Sequence, residues 1–330
     1  MFTFLLYSHL LRSAGLSRRR RQRMGSRGWA GSLSLALLLV LWYASSAACT
    51  SCSKRLLATL EPRRCALELT CAQFGVAAVA AATPSALRCS PPTLPRAVWV
   101  YLVCISLSYT AGFTFLNLSL LYIPASFAET LRGLEPLYSA FIACATGVRG
   151  GALNRWSFLA LVILVAGGFM SCWSQPAASR NVHFYLGIAS ALGANLAFAL
   201  RSVFTTAAQD VVAQQWGEKL DADSIFFYQH ACGFMVMLAL VIVLGSSRVL
   251  VEVEKQVPSS LWLIVGSTGA FFLYNRLSLS VLLRLDAVSH SVCNALRRAA
   301  TVAVTAVVFA TPVSALSFSS IVLVICGSGG

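Results

Sequence analysis

The residues best equipped for chemistry in this sequence are basic ones placed where a basic residue is costly. Arg132 lies inside the apolar segment FAETLRGLEPLYSAFIACATG, and Arg297 with Arg298 inside SHSVCNALRRAATVAVTAVVFATP. An ionised guanidinium at the centre of a membrane helix costs at least about 2.5 kcal/mol even on the most lenient insertion scale, so each needs a partner, a wet cavity or an anionic ligand. Arg132 and Arg297 are separated by 165 positions, half of the 330 residues, and each follows a leucine at the head of a run of mostly small and apolar side chains. Two copies of one unit are a common way of building a carrier. The chemistry this spacing points to is the binding of an anion.

Glu129 at i−3 and Glu135 at i+3 could each reach Arg132 along one helix face, so self-pairing and ligand binding both stay open for it. Arg297 and Arg298 differ. Neighbours on a helix point about 100° apart, and the nearest acid in the chain, Asp286, is about three turns away. Their expected partner is a multivalent anion such as phosphate, whose oxygens match the guanidinium fork. Tyr274 and Asn275, in the middle of the eighth apolar segment, can hydrogen-bond an organic part of the ligand; a buried tyrosine that only satisfies its own hydroxyl is the plainer alternative. Arg201 is either a further anion contact or a snorkelling residue. His290, about two turns before the arginine pair, has helix packing as its default role. Lys54, Glu129 and Asn117 complete the candidate set. Arg276, two residues from Tyr274 and so on another face, is expected to be paired or interfacial.

These residues need a scaffold, and composition defines it. The chain is 58% hydrophobic and 11% charged with a mean hydropathy of +0.75, against about a quarter charged in soluble domains. Apolar stretches near 30–50, 65–86, 97–120, 123–147, 156–174, 184–208, 223–246, 258–283, 287–309 and 313–327 mostly reach the roughly 20 residues that span a bilayer. The expected fold is therefore an all-α integral membrane protein of ten transmembrane helices. Residues 1–29 form a basic leader or cytosolic tail with Met24 as an alternative start. Residues 30–330 are expected to form one domain with halves near 30–174 and 184–330, and the abrupt end at VLVICGSGG, in or just past the last span, leaves a longer native chain open.

The net charge of +14 lies mostly in tails and loops, so no nucleic-acid partner is expected. With both termini on one side, the basic tail, Arg88, Arg96, Arg149, Arg155, Lys219 and Arg284 outnumber Lys54, Arg55, Arg63, Arg64, Arg180, Arg248 and Lys255, which puts both termini in the cytosol. Gln209 to Asp223 reads as the longest polar loop. The eleven cysteines are scattered; Cys49 and Cys52 have C-x-x-C spacing without a second pair or a histidine in register, so no metal or other cofactor is expected. No phosphate-binding P-loop or hydrolase motif appears, and there is no room for a soluble catalytic head.

From Phe271, FFLYNRLSLSVLLRLDAVSHSVCNALRRAATVAVTAVVFATPVS resembles the penultimate segment of the plastid phosphate translocators, the triose-phosphate transporter family of the drug/metabolite transporter superfamily. Tyr274, His290-Ser-Val, Asn294, the basic pair and Thr311-Pro-Val-Ser keep the family's spacing without a gap. Upstream, Phe127-Ala-Glu-Thr-Leu-Arg-Gly-Leu-Glu-Pro is similar to the family's F-[TA]-x-x-[VI]-K-x-x-E-P, and the likeness covers most of residues 40–327. It implies two inverted five-helix halves and exchange of inorganic phosphate for a phosphorylated C3, C5 or C6 compound. By position, it puts phosphate binding on Arg132, Arg297 and Arg298 and a substrate contact on Tyr274. The polar pair that triose-phosphate members carry in the third helix corresponds to Phe113 and Leu116, beside Asn117, which argues against simple triose-phosphate specificity.

The expected partners are a small phosphorylated metabolite, inorganic phosphate and the lipid bilayer, in a monomer or homodimer of a plastid envelope or a Golgi or ER membrane. The rival readings are a nucleotide-sugar carrier exchanging for a nucleoside monophosphate, a membrane enzyme acting on lipid phosphates with His290 as its base, and a non-transporting homologue.

Overall fold

The computed structural model describes residues 28–59, 65–82, 96–146, 155–173, 181–216, 222–243, 247–282, 287–310, 319 and 322. Among these the chain forms helices and no strand. They are α1 (Gly28–Thr59), α2 (Cys65–Ala81), α3 (Arg96–Tyr122), α4 (Ala125–Arg132), α5 (Glu135–Thr146), α6 (Arg155–Trp173), α7 (Val182–Trp216), α8 (Ala222–Val243), α9 (Ser247–Leu282) and α10 (Ala287–Val308). An all-helical bundle is what lipid demands of a chain that has no closed barrel, because every backbone N–H and C=O must be satisfied within its own segment. Ser34–Thr59, Val98–Tyr122, Val182–Gln214 and Ile225–Val243 are each long and apolar enough to cross a membrane.

Nine of the ten expected spans have helical counterparts among the described residues, with α4 and α5 together forming the fourth. The tenth, 313–327, lies outside the described residues apart from 319 and 322. Two expectations are corrected. Gln209–Trp216, expected as loop, continues α7 without a break; the stretch contains neither glycine nor proline, and Val212 is buried against Val98 and Leu102 of α3. Lys54 and Arg55, counted in a loop, belong to α1.

The packing repeats itself when the halves are exchanged. Taking α1, α2, α3 and the α4–α5 pair as counterparts of α7, α8, α9 and α10, the two most extensive contacts, α3 with α7 and α1 with α9, turn into one another. The α2–α9 and α3–α8 contacts interchange likewise, as do α1–α10 and the packing of α7 on α4 and α5, while α2–α8 and α4–α10 map onto themselves. Among the described residues five expected spans (α1, α2, α3, the α4–α5 pair and α6) precede α7, an odd number, so the second copy enters the membrane in the opposite sense, as an inverted repeat does. Each half therefore packs mainly on the other.

Aromatic rings fill the centre. Phe113 meets Phe271, Tyr109 and Phe198 at centroid distances of 4.7, 4.9 and 5.0 Å, all edge-on, the arrangement favoured by the ring quadrupoles. Close helix approach permits this density at Gly233 of α8, where a Cβ would lie 2.4 Å from Thr110 Oγ1 and 2.5 Å from Phe74 Cδ1. Phe74 is fully buried and has no room to yield. Gly233→Ala is expected to lower stability by about 1–3 kcal/mol, read as thermal unfolding in detergent. Gly269→Ala, whose Cβ meets nothing within 4 Å, is the control and should not destabilise.

Candidate anion-binding site

The site starts from a broken helix. After Arg132, α4 tightens into i→i+3 hydrogen bonds, Gly133 N–H to Thr130 O and Leu134 N–H to Leu131 O, both 3.0 Å, before α5 begins. Pro136 explains why the break exposes Arg132: it has no N–H to give to the carbonyl four residues earlier. That carbonyl of Arg132 instead accepts from Arg298 Nη1 of α10, and the carbonyl of Leu131 accepts from Asn195 Nδ2 of α7 at 2.8 Å. Pro124 repeats the device. It denies Leu120 O its helical donor at the end of α3, and Lys54 Nζ supplies one, with a second bond of 3.0 Å to Ile123 O. An ammonium at a helix C-terminus also meets the negative end of the macrodipole. Lys54 therefore holds backbone together and does not line the cavity.

The three arginines take different partners. Arg132 is buried, with Nη1 3.2 and 3.3 Å from the two carboxylate oxygens of Glu129. Its guanidinium lies over the Phe198 ring at 5.3 Å, and its Nε–H has no acceptor among the described residues. Arg297 donates through Nε to Asn294 Oδ1 at 3.0 Å and through Nη1 to Ser46. It stacks on Trp42 and Tyr274 at 5.7 and 5.6 Å. Among the described residues it has no carboxylate partner. Arg298 pairs with Glu135. A multivalent anion was expected as the partner of both Arg297 and Arg298, and for Arg298 the structure shows a carboxylate in contact instead. Its acid is 163 positions away in the other half, and because the helix breaks between them, Glu135 no longer shares a helix with Arg132.

A small cavity opens beside Arg132. Its walls are Ser46, Cys49, Thr50 and Ser53 of α1, Gln73 of α2, Phe113, Leu116, Asn117 and Leu120 of α3, Arg132, and Phe271 and Tyr274 of α9. One wall is a closed polar network: Ser53 and Ser267 hydroxyls 2.8 Å apart, Gln73 Nε2 donating to both at 3.2 and 2.9 Å, and Asn117 Nδ2 donating to Gln73 Oε1 and Thr70 at 3.0 and 2.9 Å. The facing wall is aromatic. The free volume of about 10 Å³ holds roughly one water. A phosphorylated metabolite enters only if the helices part.

The structure brings together Arg132, Tyr274 and Asn117 on the cavity, with Glu129 one layer behind. Arg297 reaches the rim through Ser46 and Tyr274, and Arg298 is turned toward Glu135. Asn275 does not line the cavity: it accepts from Tyr109 at 2.7 Å and donates to Phe271 O at 2.8 Å. Arg201 stacks on Tyr109 at 4.8 Å and is also off the cavity. The side chain of His290 lies outside the described residues. Arg276 is paired, with Asp223, as its position suggested. Sequence reasoning missed the polar face of α1. The signal was there, since Ser46, Cys49, Thr50 and Ser53 follow the i, i+3, i+4, i+7 spacing of one helix face.

Two interlocked halves, with buried arginines beside a cavity where a membrane helix breaks, define a membrane carrier rather than an enzyme. The family follows from comparison: the profile of the Triose-phosphate Transporter family matches residues 33–328, and the chain belongs to that family. Relatives are distant. The chloroplastic phosphoenolpyruvate/phosphate translocator 1 of Oryza sativa subsp. japonica is 25% identical over 298 residues, covering 88% of this chain and 69% of that protein. The chloroplastic triose phosphate/phosphate translocator of Flaveria pringlei is 24% identical over 64% of this chain and 50% of its own length. A probable sugar phosphate/phosphate translocator of Arabidopsis thaliana is 22% identical, over 70% of this chain and 72% of that protein.

Proposed function

We propose that this protein exchanges inorganic phosphate for a phosphorylated C3, C5 or C6 metabolite across a plastid envelope by alternating access. The observation that carries the reading is Arg132: a buried guanidinium on the cavity wall whose Nε–H has no acceptor among the described residues. A buried charged donor left unpaired is costly, and a phosphate oxygen removes that cost. Arg297, whose partners among the described residues are all neutral, supplies the second cationic contact, and Thr50 and Tyr274 line the same space. Arg298 serves indirectly by tying the second half to the Arg132 carbonyl. The plastid location and the phosphate counter-substrate draw on the names of the chloroplastic relatives.

Exchange follows from the electrostatics. Closing the empty carrier around Arg297 without a counter-anion costs several kcal/mol, and bound phosphate offsets this in either direction. Phe113 and Leu116 offer the organic part no hydrogen bond, which favours a compound with few hydroxyls, such as an enol phosphate, over a triose or hexose phosphate. The test is uptake of labelled phosphate into liposomes holding purified protein. The liposomes are preloaded with phosphate, phosphoenolpyruvate, a triose, pentose or hexose phosphate, a nucleoside monophosphate or nothing. Uptake against phosphorylated partners, with the enol phosphate foremost, is the expected result. Equal uptake into empty liposomes overturns the exchange mechanism, and preference for the nucleotide overturns the substrate class.

A further inference from the structure

We infer that Glu129 is a proton-coupled charge balancer in this site: its carboxylate stands in for substrate at Arg132 in the empty carrier and takes up a proton when a dianion binds. The inference rests on the anion-transport reading and adds to it the charge stoichiometry.

Glu129 is 1% exposed. Its two oxygens hold Arg132 Nη1, and Oε1 also accepts the Thr50 hydroxyl at 3.1 Å. Arg132 and Thr50 both line the cavity while Glu129 stands behind them. A ligand that bonds to Arg132 and Thr50 therefore competes for the two groups that now satisfy the carboxylate. Among the described residues the charged and titratable groups around Glu129 are Arg132 on its own helix, Arg297 and Arg298 of α10, Cys49 of α1 and Tyr274 of α9, with the Thr50 hydroxyl of α1 bonded to it; Glu135 of α5 acts on Arg132 from the far side.

Three guanidiniums against the carboxylates of Glu129 and Glu135 leave the empty site with one net positive charge. A phosphate dianion turns this to one negative charge, with two like-charged groups sharing Arg132 in a medium that screens them poorly. A proton on Glu129 restores neutrality. It comes from the aqueous phase to which the site is open, adds to the carboxylate to give the neutral acid, and is lost again when the ligand leaves. A hydroxyl both donates and accepts, so Thr50 reverses its role: it accepts from the protonated Glu129 and donates its own hydrogen into the cavity. Glu135 is the poorer candidate, because Arg298 holds it outside the cavity wall. Each dianion then crosses with one proton, and one-for-one exchange moves no net charge.

Sulfate separates protein protons from ligand protons, because it has none of its own to exchange near neutral pH. Calorimetric titration of purified full-length protein with sulfate, in buffers of different ionisation enthalpy between about pH 6 and 9, reads the protons taken up. Cys49 and Tyr274 are already protonated near neutral pH. The expected result is uptake approaching one proton per sulfate, with affinity falling up to about tenfold per pH unit toward the alkaline end. Glu129→Gln abolishes the uptake and flattens the pH dependence, while Asp223→Asn, a carboxylate paired with Arg276 away from the cavity wall, retains both. Sulfate binding by the wild type without proton uptake, or uptake retained in Glu129→Gln, overturns the inference alone. Failure of the wild type to bind either sulfate or phosphate overturns the transport reading with it. If Glu129→Gln does not accumulate, the wild-type and Asp223→Asn stoichiometries decide: about one proton per sulfate in both supports the inference, and none in the wild type overturns it.

Discussion

Arg297→Ala is expected to lower phosphate exchange in liposomes by about 100-fold or more, since at least two charge-assisted hydrogen bonds to the ligand are lost at about 1.5–3 kcal/mol each. Its stability should change little. Among the described residues the hydrogen-bond and stacking partners of Arg297 are Ser46, Asn294 and the faces of Trp42 and Tyr274, all neutral, so truncation leaves no described carboxylate without its direct ion-pair partner. Arg132→Ala gives the contrasting result. It also removes the ion pair of Glu129, which is 1% exposed, and a buried carboxylate deprived of its partner costs about 3–5 kcal/mol. Exchange and stability should both fall. Adding Glu129→Gln to Arg132→Ala should return most of the stability and none of the flux. Flux measured beside thermal unfolding separates the two arginines; substantial exchange by Arg297→Ala would refute its role as a phosphate contact.

The largest loss of stability is expected from Arg298→Ala. This side chain joins the halves at two points, Glu135 and the Arg132 carbonyl, and truncation leaves a carboxylate unpaired and a carbonyl that Pro136 has already deprived of its helical donor. Breaking the pair costs about 3–5 kcal/mol and the orphaned carbonyl about 1–3 kcal/mol more, against a total stability of order 5–15 kcal/mol. Little monodisperse protein should survive detergent extraction. Two second-site changes address the two deficits separately. Glu135→Gln removes the stranded charge, and Pro136→Ala restores an N–H that can reach Arg132 O. The triple variant should be recovered in higher yield than Arg298→Ala alone. If Pro136→Ala brings no gain in the Arg298→Ala, Glu135→Gln background, the account of the helix break is wrong.

Several features of the site were legible in the sequence because they are local. Glu129 and Arg132 are three residues apart on one helix, and they pair. Arg276 was expected to be paired or interfacial from its offset to Tyr274, and Asp223 is its partner. The hydroxyl face of α1 could also have been read from its helical spacing. By contrast, Asn275 sits beside Tyr274 in a polar dipeptide and looked equally available, yet Tyr109 occupies it from across the bundle. Lys54 looked like a loop residue because hydropathy fades before it, whereas the carbonyls freed by Pro124 draw it into α1.

The sequence by itself determined the class, the family, the expected spans and the buried arginines, since transfer of a 20-residue segment into lipid depends on that segment's own composition. Which of Arg297 and Arg298 meets a carboxylate was decided by tertiary structure alone. Arg297 and Arg298 are adjacent and chemically identical. Their 100° separation on the helix aims one at Ser46 and Tyr274 on the cavity rim and the other at Glu135, 163 positions away. That choice comes from how the second half docks on the first, and no local pattern encodes it.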